Sequence, residues 1–150
     1  MSLELDINQK KFRSEYQRGM INIIYTSNWV NEKMKTFFDE ADITGQQFNI
    51  LRILRGAGEP LSTLQIRQRM LDKMSDTSRI VDRLLIKKLV KKTVCKSDKR
   101  LIDVTITEKG RQLLKKIDVF EKEMDQLLGA LTVAEAKILN QLLDKIRHPH

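Results

Sequence analysis

Apolar residues recur at three- and four-residue steps from about Asn8 to Ala41: Phe12, Tyr16, Met20, Ile23, Ile24, Val30, Met34, Phe37, Phe38 and Ala41. No proline interrupts the series, so the spacing predicts one long helix or two abutting ones. A helix of that length overhangs a small domain, which points to a second chain covering it. Thr44 and Gln47 follow at capping-box spacing, the hydroxyl bonding an orphan amide and the glutamine reaching back. They open a helix carrying Phe48, Leu51, Ile53 and Leu54, which ends in the loop Gly56-Ala57-Gly58-Glu59-Pro60. Ser62 and Gln65 repeat the spacing and start a short helix to about Met70. Ser75 is the expected cap of the next helix, which runs to about Leu89 and buries Ile80, Val81, Leu84 and Leu85.

Beyond Leu89 the period falls from helical to alternating. Val90 to Cys95 reads as a strand, Lys96 to Lys99 as a turn, and Arg100 to Ile106 as a return strand with Ile102, Val104 and Ile106 on one side. Thr107 is a further expected cap, with Glu108 suited to the positive end of a helix. The series Leu113, Leu114, Ile117, Phe120, Met124, Leu127 and Leu128 then predicts a long helix. Thr132 and Glu135 form a third capping box and open a last helix through Leu139, Leu142, Leu143 and Ile146. Two short helices followed at once by a hairpin are the helix-turn-helix with its wing. The fold class is therefore mainly α with a small β-hairpin wing, and one domain accommodates the 150 residues. Within it, residues 44–110 form a winged helix-turn-helix module, and residues 8–41 and 111–147 form a helical dimerisation module.

Charge changes the picture only through its placement. The formal net charge is +8, and residues 1–61 and 112–150 are each internally neutral. Residues 62–111 hold 14 Lys and Arg against 6 Asp and Glu, so the whole excess lies in the helix-turn-helix and hairpin. That is the footprint of a module that binds a polyanion. The single cysteine forbids an internal disulfide, no apolar run spans a membrane, and the N-terminus shows no signal-peptide core, so a cytoplasmic location is expected.

The chemistry of an enzyme is hard to place. Both histidines, His148 and His150, lie at the C-terminal end, away from any interior acid–base or metal site, and there is no Gly-rich phosphate loop or nucleophile elbow. No metal or cofactor is expected. Arg79 and Arg83 share a face that the apolar stripe of their helix leaves open, as DNA contacts would. Lys91, Lys92, Lys96 and Lys99 suit phosphates, adding affinity without reading sequence. Arg67 and Arg69 are placed to sit over the backbone. Arg100 at the wing tip suits the narrow minor groove, where negative potential is concentrated. Asp98 beside it would repel phosphate, unless it caps the turn or holds an arginine in one rotamer.

The order of elements, the VDRLLIKKLVKK segment at 81–92 and the DKRLIDVTITEKG segment at 98–110 resemble the MarR family of bacterial winged helix-turn-helix transcription factors. The wing pattern Asp98, Arg100, Thr107 and Gly110 carries most of the likeness, which extends over nearly the whole chain. The resemblance implies a homodimer on double-stranded DNA, with Arg100 in the minor groove supported by Asp98, and with Asp76, Thr77, Ser78 and Arg79 at the major groove; Ser75, a cap first, is expected to contact DNA second, at a phosphate. It also implies a small aromatic or phenolic anionic effector in a cleft lined by Tyr16, Met20, Tyr25, Trp29 and Phe48, and repression as the commoner role. Relatives with redox-sensing cysteines carry them in the N-terminal helical region, whereas Cys95 lies in the hairpin as a small strand residue. Lys88 departs from the family, which favours glycine there for a left-handed helix end. Lysine would be strained in that conformation, or the helix ends differently. The rival reading from charge alone is a non-specific architectural DNA-binding protein.

Overall fold

The computed structural model describes residues 2–149; His150 lies outside the described residues. A short helix α1 (Leu3–Asp6) precedes α2 (Glu15–Glu40), α3 (Gly45–Ala57), strand β1 (Leu61–Ser62), α4 (Thr63–Arg69) and α5 (Thr77–Ile86). Strands β2 (Val90–Val94) and β3 (Ile102–Ile106) follow, then α6 (Glu108–Asp118), α7 (Glu121–Asp125) with a 3₁₀ turn over Gln126–Leu128, and α8 (Val133–Arg147). No helix among the described residues is long and apolar enough to cross a membrane.

The three capping boxes form as their spacing requires, at Thr44 with Gln47, Ser62 with Gln65, and Thr132 with Glu135. Each satisfies two orphan backbone donors reciprocally, fixing where α3, α4 and α8 begin. The predicted first helix is corrected at its start. It begins at Glu15, where the Ser14 side chain accepts the Gln17 amide, and Asn8 and Phe12 lie in the preceding segment. The continuous helix expected through Leu128 is broken after Asp118, so Phe120, Met124 and Leu128 belong to shorter turns. Phe120 packs on Phe37 of α2 with ring centroids 5.6 Å apart, one tertiary contact that this break accommodates.

The sheet adds a strand that periodicity missed. The order is β1-β3-β2, all antiparallel, with Leu61 opposite Val104 and Val90 opposite Ile106. Two residues are too few for a period-two signal; β1 exists because the free edge of β3 accepts it. The predicted strands are also shorter, leaving Cys95, Arg100 and Leu101 in the connection. Val104 and Ile106 are buried as expected, whereas Ile102 is half exposed because the hairpin has by then left the body of the protein.

The core gathers α3, α4, α5, the sheet and α6: Ile50, Leu51, Ile66, Val81, Leu84, Val104 and Leu114 are fully excluded from solvent. Each such side chain stabilises the fold by about 1.5–3 kcal/mol. The terminal helices contribute little to it. Along the 26 residues of α2 only Phe38 is buried, and α8 buries none. Tyr16, Met20, Ile23, Ile24, Tyr25 and Trp29 on α2 stay exposed, as do Val133, Ile138, Leu142 and Ile146 on α8.

Candidate nucleic-acid interface

Helix α5 is capped by Asp76, whose carboxylate accepts the Arg79 amide at 3.2 Å; Ser75, the cap expected from the sequence, is not the cap. Ser75 turns inward instead. Its hydroxyl donates to the Asp72 carbonyl at 2.8 Å, and the residue is 9% exposed. Thr77, expected at the DNA, is likewise nearly buried, 3% exposed with its hydroxyl unpartnered among the described residues. Both placements have one cause. A run of small polar residues gives no hydrophobic phase, so one residue of register decides which side chains face the core.

What remains outward is Asp76, Ser78, Arg79 and Arg83, all exposed. The start of α5 meets α4 in a shallow cleft of about 460 Å³ lined by Thr63, Leu64, Arg67, Ser75, Asp76, Thr77 and Ser78. The free amides at a helix start and a nearby guanidinium suit an anion such as a backbone phosphate. Thr63 and Leu64 were not singled out in the sequence, since nothing in their own neighbourhood marks them; they reach the cleft because α4 crosses α5. Among the described residues, Arg67, Arg79 and Arg83 have no carboxylate within ion-pair distance.

At the far end of α5 the chain turns through Lys88 at φ 61°, a left-handed residue. The Leu89 amide donates to the Leu84 carbonyl at 3.0 Å and the Lys88 amide to Leu85 at 2.9 Å, the paired bonds of a Schellman end. The lysine thus occupies the conformation that favours glycine. The threonine and glycine of the wing pattern have their explanation here. Thr107 accepts the Gly110 amide, caps α6 and donates its hydroxyl to the Lys88 carbonyl at 2.8 Å. A Cβ on Gly110 would stand 2.4 Å from the Leu89 carbonyl oxygen, so only glycine lets α6 press this closely on the end of α5.

In the hairpin loop the Asp98 carboxylate holds Arg100 three times: the backbone amide and Nε donate to Oδ1 and a terminal nitrogen to Oδ2, all at 3.0 Å. Both roles considered for Asp98 are present at once, a turn cap and a rotamer clamp. Hydrogen bonding from the Arg100 side chain, then from its backbone, keeps the Asp98 carboxyl below its ordinary pKa, with desolvation opposing. The arginine side chain is 89% exposed, which leaves its free edge open to a ligand. Lys91, Lys96 and Lys99 are exposed as expected, while Lys92 donates to Asp82 of α5 at 2.8 Å and is partly neutralised. This bond fastens the root of the hairpin to α5. The Cys95 thiol lies 3.1 Å from the Ser97 hydroxyl, and its amide donates to the Leu101 carbonyl at 3.0 Å.

A second cleft, of about 710 Å³, lies where α2 meets α3 and the α4–α5 loop, and its apolar lining includes Met34, Phe38, Phe48 and Met70. Phe38 and Phe48 stack with centroids 4.7 Å apart. Of the five residues expected to line a ligand cleft, only Phe48 does so here. Tyr16, Met20, Tyr25 and Trp29 lie elsewhere along α2, on its exposed side. No group of His, Cys, Asp and Glu among the described residues is placed to hold a metal ion.

Known proteins share this arrangement. A profile of the MarR family matches residues 41–101. The HTH-type transcriptional regulator TcaR of Staphylococcus aureus (strain Newman) is 31% identical over 142 residues, which cover 92% of this chain and 93% of that protein. A mutant MarR from E. coli, solved in complex with operator DNA, is 25% identical with a TM-score of 0.71 over 85% of this chain and 95% of that one. The organohalide-sensing RdhR regulator in its 2,4-dichlorophenol-bound form has the same fold, with a TM-score of 0.81 at 18% identity over 93% and 86% of the two chains. Because the likeness to TcaR runs through the terminal helices and does not stop at the DNA-binding motif, this chain belongs to the MarR family of winged helix-turn-helix transcriptional regulators.

Proposed function

We propose that the protein is a homodimeric, effector-responsive repressor that reads a pseudo-palindromic operator, with no enzymatic activity and no cofactor. The carrying observation is the Asp98–Arg100 clamp, which presents a cation held in one rotamer at the tip of a wing fastened to α5, whose Arg79 and Arg83 have no carboxylate partner among the described residues. Arg79 and Arg83, with Asp76 and Ser78, serve the major groove, and Arg100 serves the minor groove. Lys91, Lys96 and Lys99, together with Arg67 at the α4–α5 cleft, meet phosphates. The E. coli relative solved with operator DNA supports duplex DNA as the partner.

The exposed apolar stripes of α2 and α8 support the dimer and the division into a winged module at 44–110 and terminal helices at 8–41 and 111–147. Two-fold symmetry then sets two recognition helices about one turn of DNA apart. The cleft between α2 and α3 suits a small aromatic anion, since Phe38, Phe48, Met34 and Met70 supply an apolar slot and Arg52 supplies a guanidinium at its edge, Lys35 being paired with Asp39. RdhR, with its bound dichlorophenol, supports that class of effector. A bacterial cytoplasmic location, on the nucleoid when bound, follows from this function.

The test is selection of a duplex from a random-sequence pool, followed by affinity for that duplex and for its scrambled version across a salt series. A ratio above about a thousand with a steep salt slope is expected of a specific regulator. A ratio near one at the same slope would establish the architectural reading instead.

A further inference from the structure

The recognition helix α5 is tied at both ends to one short corner, residues 42–47, which ends the α2–α3 connection and makes the first turn of α3. At its N-terminal end, Gln46 Nε2 donates to Asp72 Oδ2 at 3.4 Å. Asp72 in turn accepts the Met74 amide on Oδ1 at 2.9 Å, and its carbonyl accepts both the hydroxyl and the amide of Ser75, the residue before the α5 cap. At the C-terminal end, Lys87 donates its ammonium to the Asp42 carbonyl and, at 3.3 Å, to Gln47 Oε1. That same oxygen accepts the Thr44 amide in the capping box that starts α3. Two adjacent glutamines thus face opposite ends of α5, one through Asp72 and one through Lys87.

The corner is also a wall of the effector cleft. Ile43, Thr44, Gly45, Gln46 and Asp72 all line it. A molecule in the cleft therefore touches the Gln46–Asp72 tether directly, and reaches the Lys87 tether through Ile43, the chain neighbour of Asp42, and Thr44, the capping-box partner of Gln47, without approaching the DNA-facing side of α5. Packing alone would couple the cleft to the helix diffusely; two polar tethers fix where each end of the helix sits. We infer that Lys87 and the Gln46–Asp72 pair are positioning residues that convert a shift of the α2–α3 corner into a tilt of the recognition helix. The inference rests on the proposed DNA-binding role of α5 and extends it to regulation. It needs no knowledge of the effector, because coupling between two sites is reciprocal: what the corner does to the helix, DNA on the helix does to the corner.

The experiment is hydrogen exchange on the full chain, free and saturated with the selected duplex. The reporters are the amides of Ala41, Asp42 and Ile43, bonded to the carbonyls of Phe38 and Asp39 and outside the DNA-facing surface. In the wild type, DNA should slow them by about fivefold or more, the lower end of ordinary coupling between sites. Lys87→Met and Gln46→Leu should each reduce that slowing, and the double variant should return the ratio to about one, while the amides of α5 stay protected by DNA. Lys87→Arg, which keeps a donor, should restore it. Each ratio is taken against the free form of the same variant, so a plain loss of stability cancels. Corner slowing that persists in the double variant, or is absent in the wild type while α5 is protected, overturns the tethers. No protection of α5 by any duplex overturns the DNA-binding role, and this inference with it.

Discussion

Lys88→Gly tests the helix end on which the wing is hung. Lys88 sits at φ 61°, just past α5, and its backbone makes every bond that matters: its amide donates to Leu85 and its carbonyl accepts Thr107 Oγ1. A glycine keeps all of these. The left-handed conformation costs an L-residue about 1–2 kcal/mol, and the added freedom of glycine in the unfolded chain offsets about 0.5–1 kcal/mol of the relief. The net gain is about 0.5–1 kcal/mol, or about 1–4 °C in Tm for a chain of this length. The lysine charge near a helix C-terminus is itself mildly favourable, so the proper reference is Lys88→Ala, which removes the charge and keeps the strain. Thermal unfolding of both variants at equal protomer concentration measures the difference, since dimer formation makes Tm concentration-dependent. Should glycine prove no more stable than alanine, the strain argument is wrong.

Further outcomes follow from the same geometry. Arg100→Ala should weaken binding of the selected duplex about ten- to a hundredfold while changing scrambled DNA little, whereas Lys96→Ala should weaken both alike and flatten the salt slope. Identical effects of the two on both duplexes would contradict the division between reading and anchoring. Gly110→Ala should destabilise by about 1–3 kcal/mol or more, because the new methyl would meet the Leu89 carbonyl at 2.4 Å and Ile106 Cγ1 at 2.7 Å; urea unfolding would show it, and an unchanged midpoint would refute the close approach. Hydrogen bonding from Arg18, then from its own backbone and Ser2, lowers the Glu4 pKa from 4.5 to about 2. A folded pKa below the unfolded one means that the α1–α2 pairing contributes fully above pH 4.5 and is lost as pH falls through about 2. An NMR titration of the Glu4 carboxyl with its midpoint near 4.5 would show that the 2.7 Å bond to Arg18 does not persist in solution.

The sequence by itself determined most of the architecture, because local rules govern most of its boundaries. Capping boxes satisfy orphan donors within four residues, and a change of hydrophobic period separates helix from strand, so α3, α4, α8 and the hairpin could be placed without knowledge of their neighbours. The basic third and the Asp98–Arg100 spacing were legible for the same reason, the clamp being closed between residues two apart. Tertiary structure decided whatever depends on partners distant in the chain. The edge of β3 recruited β1, and packing within the body set the register of α5, burying Ser75 and Thr77 while exposing Arg79. The crossing of α2 over α3 put the apolar cleft at Met34 and Phe38, not at the aromatic residues nearer the start of α2. The tethers at Gln46–Asp72 and Lys87–Asp42 span 26 and 45 residues and carry no local pattern. A side chain's long-range partner is fixed only when the core brings two segments together, and no spacing along the chain encodes it.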